Sequence, residues 1–201
     1  MDETVCQETE LILSLPLDCL PCSALVDVLH LAAGLKKVMR TKLLNGADET
    51  TVISWCTAHS LVGMCDEERY VFIGKTRDAV LQALAIDKSQ TPHEMQFGTL
   101  LGYPSCCCEA VARIGEAAID DYAKTVAHWM FPGEYILINP RGYTQGQSLI
   151  CHLPCSPICE QSLTMAKQAL VFLQDKPKLL KKWSDQISFS LLGYGTNNLW
   201  Y

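Results

Sequence analysis

Leu101-Gly102-Tyr103-Pro104-Ser105-Cys106-Cys107-Cys108 carries a sharp turn and then the start of a helix, and the fold is read outward from it. Gly102-Tyr103-Pro104 bends the chain, and Ser105 is suited to cap a helix. The Ala-rich sequence that follows predicts a long helix from Ser105 to about Met130, with Gly115 its weakest position. Cys106, Cys107 and Cys108 then fall in its first turn. There the unpaired backbone N–H groups and the helix dipole stabilise thiolate, the form of sulfur that binds soft metals and attacks disulfides.

The same device recurs at His152-Leu153-Pro154-Cys155-Ser156-Pro157-Ile158-Cys159. Ser156 as a cap and Pro157 at the first helical position predict a helix to about Leu173, with Cys159 near its third position. Leu20-Pro21-Cys22-Ser23 matches Leu153-Pro154-Cys155-Ser156 residue for residue, and there too a helix is expected, from Ala24 to about Ala33, ended by Gly34.

Between these lie weaker signals. Thr9 to Leu17 alternates loosely between apolar and polar residues. Asn45-Gly46 marks a turn, and the β-rich stretches Thr51 to Ala58 and Tyr70 to Ile73 flank an acidic loop, Asp66 to Arg69, which predicts a small antiparallel sheet. Thr76 is placed to cap a helix through about Ile86, and Pro92 to open a short one leading to Gly102. Glu134 to Ile138 reads as a strand with a turn at Asn139 to Gly142. Pro177 starts a further short helix, and Ile187 to Leu192 reads as an edge strand. The expectation is α+β: a mostly helical single domain, residues 1–201, with a small antiparallel sheet.

A net charge of −6, with short basic runs only at Lys36-Lys37 and between Lys176 and Lys182, both read as solvated helix faces, argues against nucleic acid as a partner. The acidic start and the lack of any run of membrane-spanning length point to the cytoplasm and away from a membrane partner. There thiols stay reduced, so the 11 cysteines are not read as a disulfide framework. Cys6, Cys56 and Cys65 stand without ligand-like neighbours and are read as core filler. Cys19-Leu20-Pro21-Cys22 has the spacing of a thioredoxin-type redox pair, without that fold's βαβ context. His30, His59, His93 and His128 are read as core or surface histidines.

His152, Cys155 and Cys159 form a His-x2-Cys-x3-Cys series, in which a proline-bent loop brings an imidazole and two sulfurs toward one ion. With Cys106 and Cys107 they make the candidate ligand set; Cys108 is read as packing, and Cys151 has lower standing. At these residues the chain resembles a prokaryotic domain family, found in archaea and some bacteria, whose hallmarks are Leu-Gly-Tyr-Pro-x-Cys-Cys and, downstream, His-x-Pro-Cys-Ser-x-x-Cys-x-x-Ser. The likeness spans roughly residues 95 to 170, with a fainter echo at Leu35-Lys36-Lys37. It implies that Cys106, Cys107, His152, Cys155, Cys159 and Ser162 form one site, and it implies no reaction.

The functional expectation is a metal-thiolate enzyme, iron-containing or iron-sulfur, with zinc or copper(I) as further ions that thiolates suit, acting by redox or sulfur chemistry on a small molecule. His152 is expected as a fifth ligand or proton donor, and Tyr103 at the border of the substrate. The alternatives are a metal-free thiol-disulfide oxidoreductase and a non-enzymatic sensor or interaction domain stapled by zinc.

Overall fold

Val71, Phe72 and Ile73 are fully buried on the middle strand of a three-stranded sheet, and the helices are arranged on its two faces. In the computed structural model, which describes residues 3–89 and 93–180, the elements are α1 (Glu3–Leu13), α2 (Ala24–Ala32), β1 (Val38–Lys42), α3 (Glu49–Ala58), β2 (Val62–Cys65), β3 (Tyr70–Gly74), α4 (Arg77–Asp87), α5 (Glu94–Leu100), α6 (Ser105–Ile114), α7 (Ile119–Ala127) and α8 (Glu160–Gln174). Short 3₁₀ helices occupy Glu116–Ala118, Gly133–Ile138 and Pro140–Gln145. The chain is α+β, mostly helical, with one antiparallel sheet of order β1-β3-β2. Val38 and Val62 both pair with Gly74, and Lys42 and Cys65 with Tyr70 and Val71.

Alternation along the strands divides the core. Met39, Val71 and Ile73 join α1, α2, α3 and α8 in the main cluster, whereas Val38 and Phe72 pack with Val80 and Ala83 of α4 and with Leu101. Every residue of α2 is buried, Asp27 and His30 included. The helix ends at Gly34, whose φ of +73° lets Leu35 N–H return to the His30 carbonyl.

Several expectations need correction. Thr9 to Leu17 is largely helical, within and just beyond α1, and Leu11, Ile12 and Leu15 bury against α2. Thr51 to Ala58 is helix α3: Asp48 accepts from Thr50 N–H as its cap, and Val52, Trp55 and Cys56 bury at helical spacing. Tertiary burial overrides the β propensity of the Thr and Ile residues. The sheet's other strands are β1 and β2, neither of which stands out in the sequence. The long helix from Ser105 breaks at Gly115, where φ is +78°, into α6 and α7. Glu134 to Ile138 is 3₁₀ helix, not strand. The caps shift as well: Pro104, not Ser105, is the N-cap of α6, and Cys159, not Ser156, that of α8. Thr76 caps α4 as expected, through Ala79 N–H. Residues 177–180 are helical. The short helix expected before Gly102 is α5, whereas Pro92 itself, the Cys6 side chain and Ile187 to Leu192 lie outside the described residues or side chains.

Two glycines position the candidate site. At Gly98 of α5 a Cβ would meet Cys108 Sγ at 2.6 Å, so α5 and α6 cross at a distance only glycine permits, and Cys108 is part of that packing. Gly102 has φ +79°, and a Cβ there would lie 2.5 Å from the Leu35 carbonyl oxygen. The turn that leads into the cysteine triplet is thus seated on the backbone leading into β1. Gly102→Ala should cost at least about 2 kcal/mol, from left-handed strain plus collision with that carbonyl. Gly115→Ala, at φ +78° with nothing within 4 Å, should cost only about 1 kcal/mol. Urea denaturation of the two variants compares them directly; equal losses would mean that the Leu35 contact is easily relaxed.

Candidate metal centre

Cys106 and Cys107 are the second and third residues of α6, Cys159 caps α8, and Cys155 lies in the loop that leads to it. The two helix starts converge. The sulfurs of Cys106, Cys107, Cys155 and Cys159 all lie within 4.8 Å of one another. Individual separations are 3.6 Å from Cys106 to Cys159, 3.7 Å from Cys107 to Cys159 and 3.9 Å from Cys106 to Cys107. An ion with four sulfurs at about 2.3 Å in a tetrahedron sets its sulfurs about 3.8 Å apart. The four cysteines therefore have the composition and the spacing of a site for one tetrahedral ion. Vicinal Cys106 and Cys107 both take part, because the first helical turn aims both sulfurs past its free end.

Neighbouring elements hold the loop in place. Tyr122 of α7 donates to the Pro154 carbonyl at 2.9 Å, and Ser105 to Gln161 of α8 at 3.4 Å. Cys107 and Cys159 are buried, whereas Cys106 and Cys155 are half-buried.

Ser162, one turn into α8 and fully buried, is the centre's polar neighbour. Its hydroxyl donates to Cys159 Sγ at 3.2 Å and lies 3.3 Å from Cys107 Sγ. With that proton committed, Ser162 Oγ accepts from His152 Nε2–H at 2.8 Å. His152 thus reaches the sulfurs through Ser162 and lies outside the four-sulfur group. Its Nδ1 is left as a buried lone pair with no hydrogen-bond partner among the described residues. Burial, and then the nearby His30 and Lys36, lower its pKa to about 3, so the ring is neutral. Tyr103 stacks beside it with ring centroids 5.4 Å apart.

Within the ion-free cluster, the sulfur hydrogen bond from Cys107, reinforced by the Ser162 hydroxyl, holds the Cys159 thiol far below its ordinary value. The same bond, together with burial, drives Cys107 upward. Burial, then hydrogen bonding to Cys159 and Cys106, pushes Cys155 up to about 12. Cys159 is therefore the sulfur most readily ionised, and Cys107 and Cys155 hold their protons. Of the cysteines read as filler, Cys56 is buried and Cys65 half-buried, and burial pushes their thiols up to about 12 and about 11. Cys19 is buried and Cys22 exposed, in the turns before α2.

A second polar cluster adjoins the first and overturns the expectation of a solvated helix face at Lys36-Lys37, since Lys36 is buried and lies outside any helix. Lys36 and Asp27 form an ion pair with side-chain exposures of 0% and 2%. Tyr143 donates to Asp27 Oδ2 at 2.6 Å, and Lys36 Nζ lies 3.6 Å from Cys151 Sγ and 5.0 Å from the Tyr103 ring centre. The available signal was Asp27 and His30 one turn apart on an otherwise apolar helix. His30 Nε2–H donates to the Leu149 carbonyl at 2.9 Å, tying α2 to the segment that bears Cys151 and His152. No known protein family, curated protein or solved structure matches this chain.

Acid should loosen this arrangement. Burial, opposed in part by Asp27 and reinforced by Lys36, lowers His30 from 6.5 to about 4. Below pH 6.5 the unfolded chain takes up a proton that folded His30 refuses, so stability falls as pH drops toward 4, by up to about 1.4 kcal/mol per pH unit. His30→Gln keeps a donor for Leu149 and removes the titration. Its unfolding free energy, measured in urea between those pH values, should fall less steeply by that amount; an unchanged slope would assign the acid sensitivity elsewhere.

Proposed function

We propose that this chain is a metal-thiolate enzyme in which Cys106, Cys107, Cys155 and Cys159 hold one ion, and that the centre serves redox or sulfur chemistry on a small molecule. The observation that carries the reading is the mutual 4.8 Å packing of four sulfurs on two helix starts. Iron is the ion we favour, because iron in a thiolate tetrahedron supplies one-electron chemistry, which zinc does not. The spacing favours a single ion over a multi-iron cluster, whose thiolates stand outward on different metals. Resemblance to the prokaryotic family with the same two motifs belongs to this proposal.

His152 is then not a ligand but a positioning residue. It fixes Ser162, which fixes the charge on Cys159, an arrangement that tunes a metal through its ligands. A zinc staple is the second reading. It is favoured by the closed set of four protein thiolates, since structural zinc sites leave no coordination position open.

Anaerobically purified protein should contain one ion per chain. Cys155→Ser and Cys159→Ser should lose it, whereas Cys65→Ser, on β2, should keep it; equal loss from all three would refute the assignment. Coloured protein with thiolate-to-iron charge-transfer absorption supports the enzyme, and colourless protein with stoichiometric zinc supports the staple. His152→Ala should keep most of the ion, and concerted loss of ion and fold in that variant would make the histidine structural.

The affinity should also rise with pH. Cys107 and Cys155 hold their protons in the ion-free state, so binding releases at least two. Each released proton contributes about tenfold in affinity per pH unit, or about 100-fold together, around neutrality. Competition with a chelator of known pH dependence measures the slope; a flat profile would mean that the thiols are already ionised.

A further inference from the structure

A cavity of about 630 Å³ adjoins both clusters, lined among others by Cys107 and His152 and by Tyr103, Tyr143 and Cys151. Its volume is that of a small-molecule site. Phe97, Val111, Ile119 and Leu153 make much of the remaining wall apolar. The charged groups it meets are of both signs: Arg40, which is paired with Asp87 at 3.0 Å, together with Glu94 and Arg141. These do not favour a ligand of either charge.

Net stability alone does not account for the buried ion pair behind this wall. Placing two charges in the interior generally costs more desolvation than their attraction returns, and an apolar pair of similar volume would serve packing as well. What the pair does do is orient the groups that line the cavity. Asp27 uses one oxygen for Lys36 and the other for the Tyr143 hydroxyl. The single Tyr143 proton is thereby committed, and the phenolic oxygen has only lone pairs left to offer. Burial, reinforced by the Asp27 charge, drives the Tyr143 pKa upward, so the proton stays in place. A ligand that pairs with Tyr143 must therefore donate.

We propose that this cavity binds an uncharged, largely apolar small molecule bearing a hydroxyl or an amide or aryl-amine N–H, which donates to Tyr143 while the apolar body lies against Phe97, Val111 and Ile119. Asp27 and Lys36 act as positioning residues for that contact. The inference rests on and deepens the reading of a small-molecule substrate, which adds a reason against an anionic ligand: four thiolates around one divalent ion would carry net negative charge, and Cys107 lies on the cavity wall.

Two probes of nearly equal shape test it. 2-Naphthol has the donor, and 2-methoxynaphthalene lacks it. Calorimetric titration of the protein as purified should give the naphthol about tenfold tighter binding, the worth of one well-made hydrogen bond. Tyr143→Phe should bring the two probes within about twofold of each other. Ala123→Trp, which fills the cavity from α7, should weaken both at least about tenfold, and Val111→Phe fills it from α6 should the first variant not fold. Failure of 2-naphthol to bind, equal affinity for the two probes in the unaltered protein, or wild-type binding in the filled variants would overturn the proposal. Metal analysis of the same samples keeps the two readings apart. Probe discrimination without a bound ion would leave this inference standing and remove the metal enzyme, and a full complement of ion without discrimination would do the reverse.

Discussion

Lys36 places an ammonium group where no solvent reaches it, and a charge in that position can persist only if the chain surrounds it with oxygen, sulfur and aromatic faces. Four separate segments are drawn together to do so. Asp27 comes from the middle of α2, Tyr103 from the turn before α6, Tyr143 from the 3₁₀ segment Pro140–Gln145, and Cys151 from the loop before α8. Once these are fixed, the remaining geometry is constrained. Gly102 must sit on the Leu35 carbonyl for Tyr103 to reach Lys36, and the start of α6 follows three residues later. Cys151 beside the ammonium sets the start of the loop that carries His152 and Cys155. The buried charge and the sulfur centre are thus two ends of one framework, tied again by the bond from His30 to Leu149.

Much of the site was legible in the sequence, because its logic is local. A proline bend followed by cysteines at a helix start is visible as a string of residues, and both such strings lie where the sulfurs meet. The caps were misread by one residue at Ser105 and by three at Ser156, yet Cys106 and Cys107 stay in the first turn and Cys159 moves to the cap itself. The Lys36–Asp27 pair was not legible, since the partners of a buried charge lie up to 116 residues away and no spacing rule connects Asp27 to Tyr143. Leu35-Lys36-Lys37, where the likeness to the family is fainter, lies against Gly102 through the Leu35 carbonyl.

The fold shows the same division. Thr76 and Gly34 act locally, and α4 and the end of α2 were foreseen. Thr51 to Ala58 was not, because β-branched residues there express a preference that burial of Val52, Trp55 and Cys56 overrides. β1 and β2 are short strands on the outside of the sheet, and neither carries the unbroken apolar run that makes β3 readable.

The charge balance of the centre shows why two helix starts, rather than two loops, supply the sulfurs. Four thiolates around a divalent ion leave about two net negative charges, half-shielded from water. Each helix start offers roughly half a positive charge in its aligned N–H groups, and those of α6 and α8 point into the same volume. The Ser162 hydroxyl adds a donor to Cys159, so much of the excess is met by dipoles that need no counter-ion. Lys36 has its charge cancelled by Asp27 and is not free to neutralise the sulfurs. With a divalent ion bound, residual negative charge would therefore remain at Cys107, on the wall of the cavity. A trivalent ion would leave about one charge fewer than a divalent one, so oxidation of a bound iron would ease the electrostatic load on this wall and reduction would restore it. Were iron held there as proposed, its redox state would set the potential felt by a molecule in the cavity, without either touching the other's bonds.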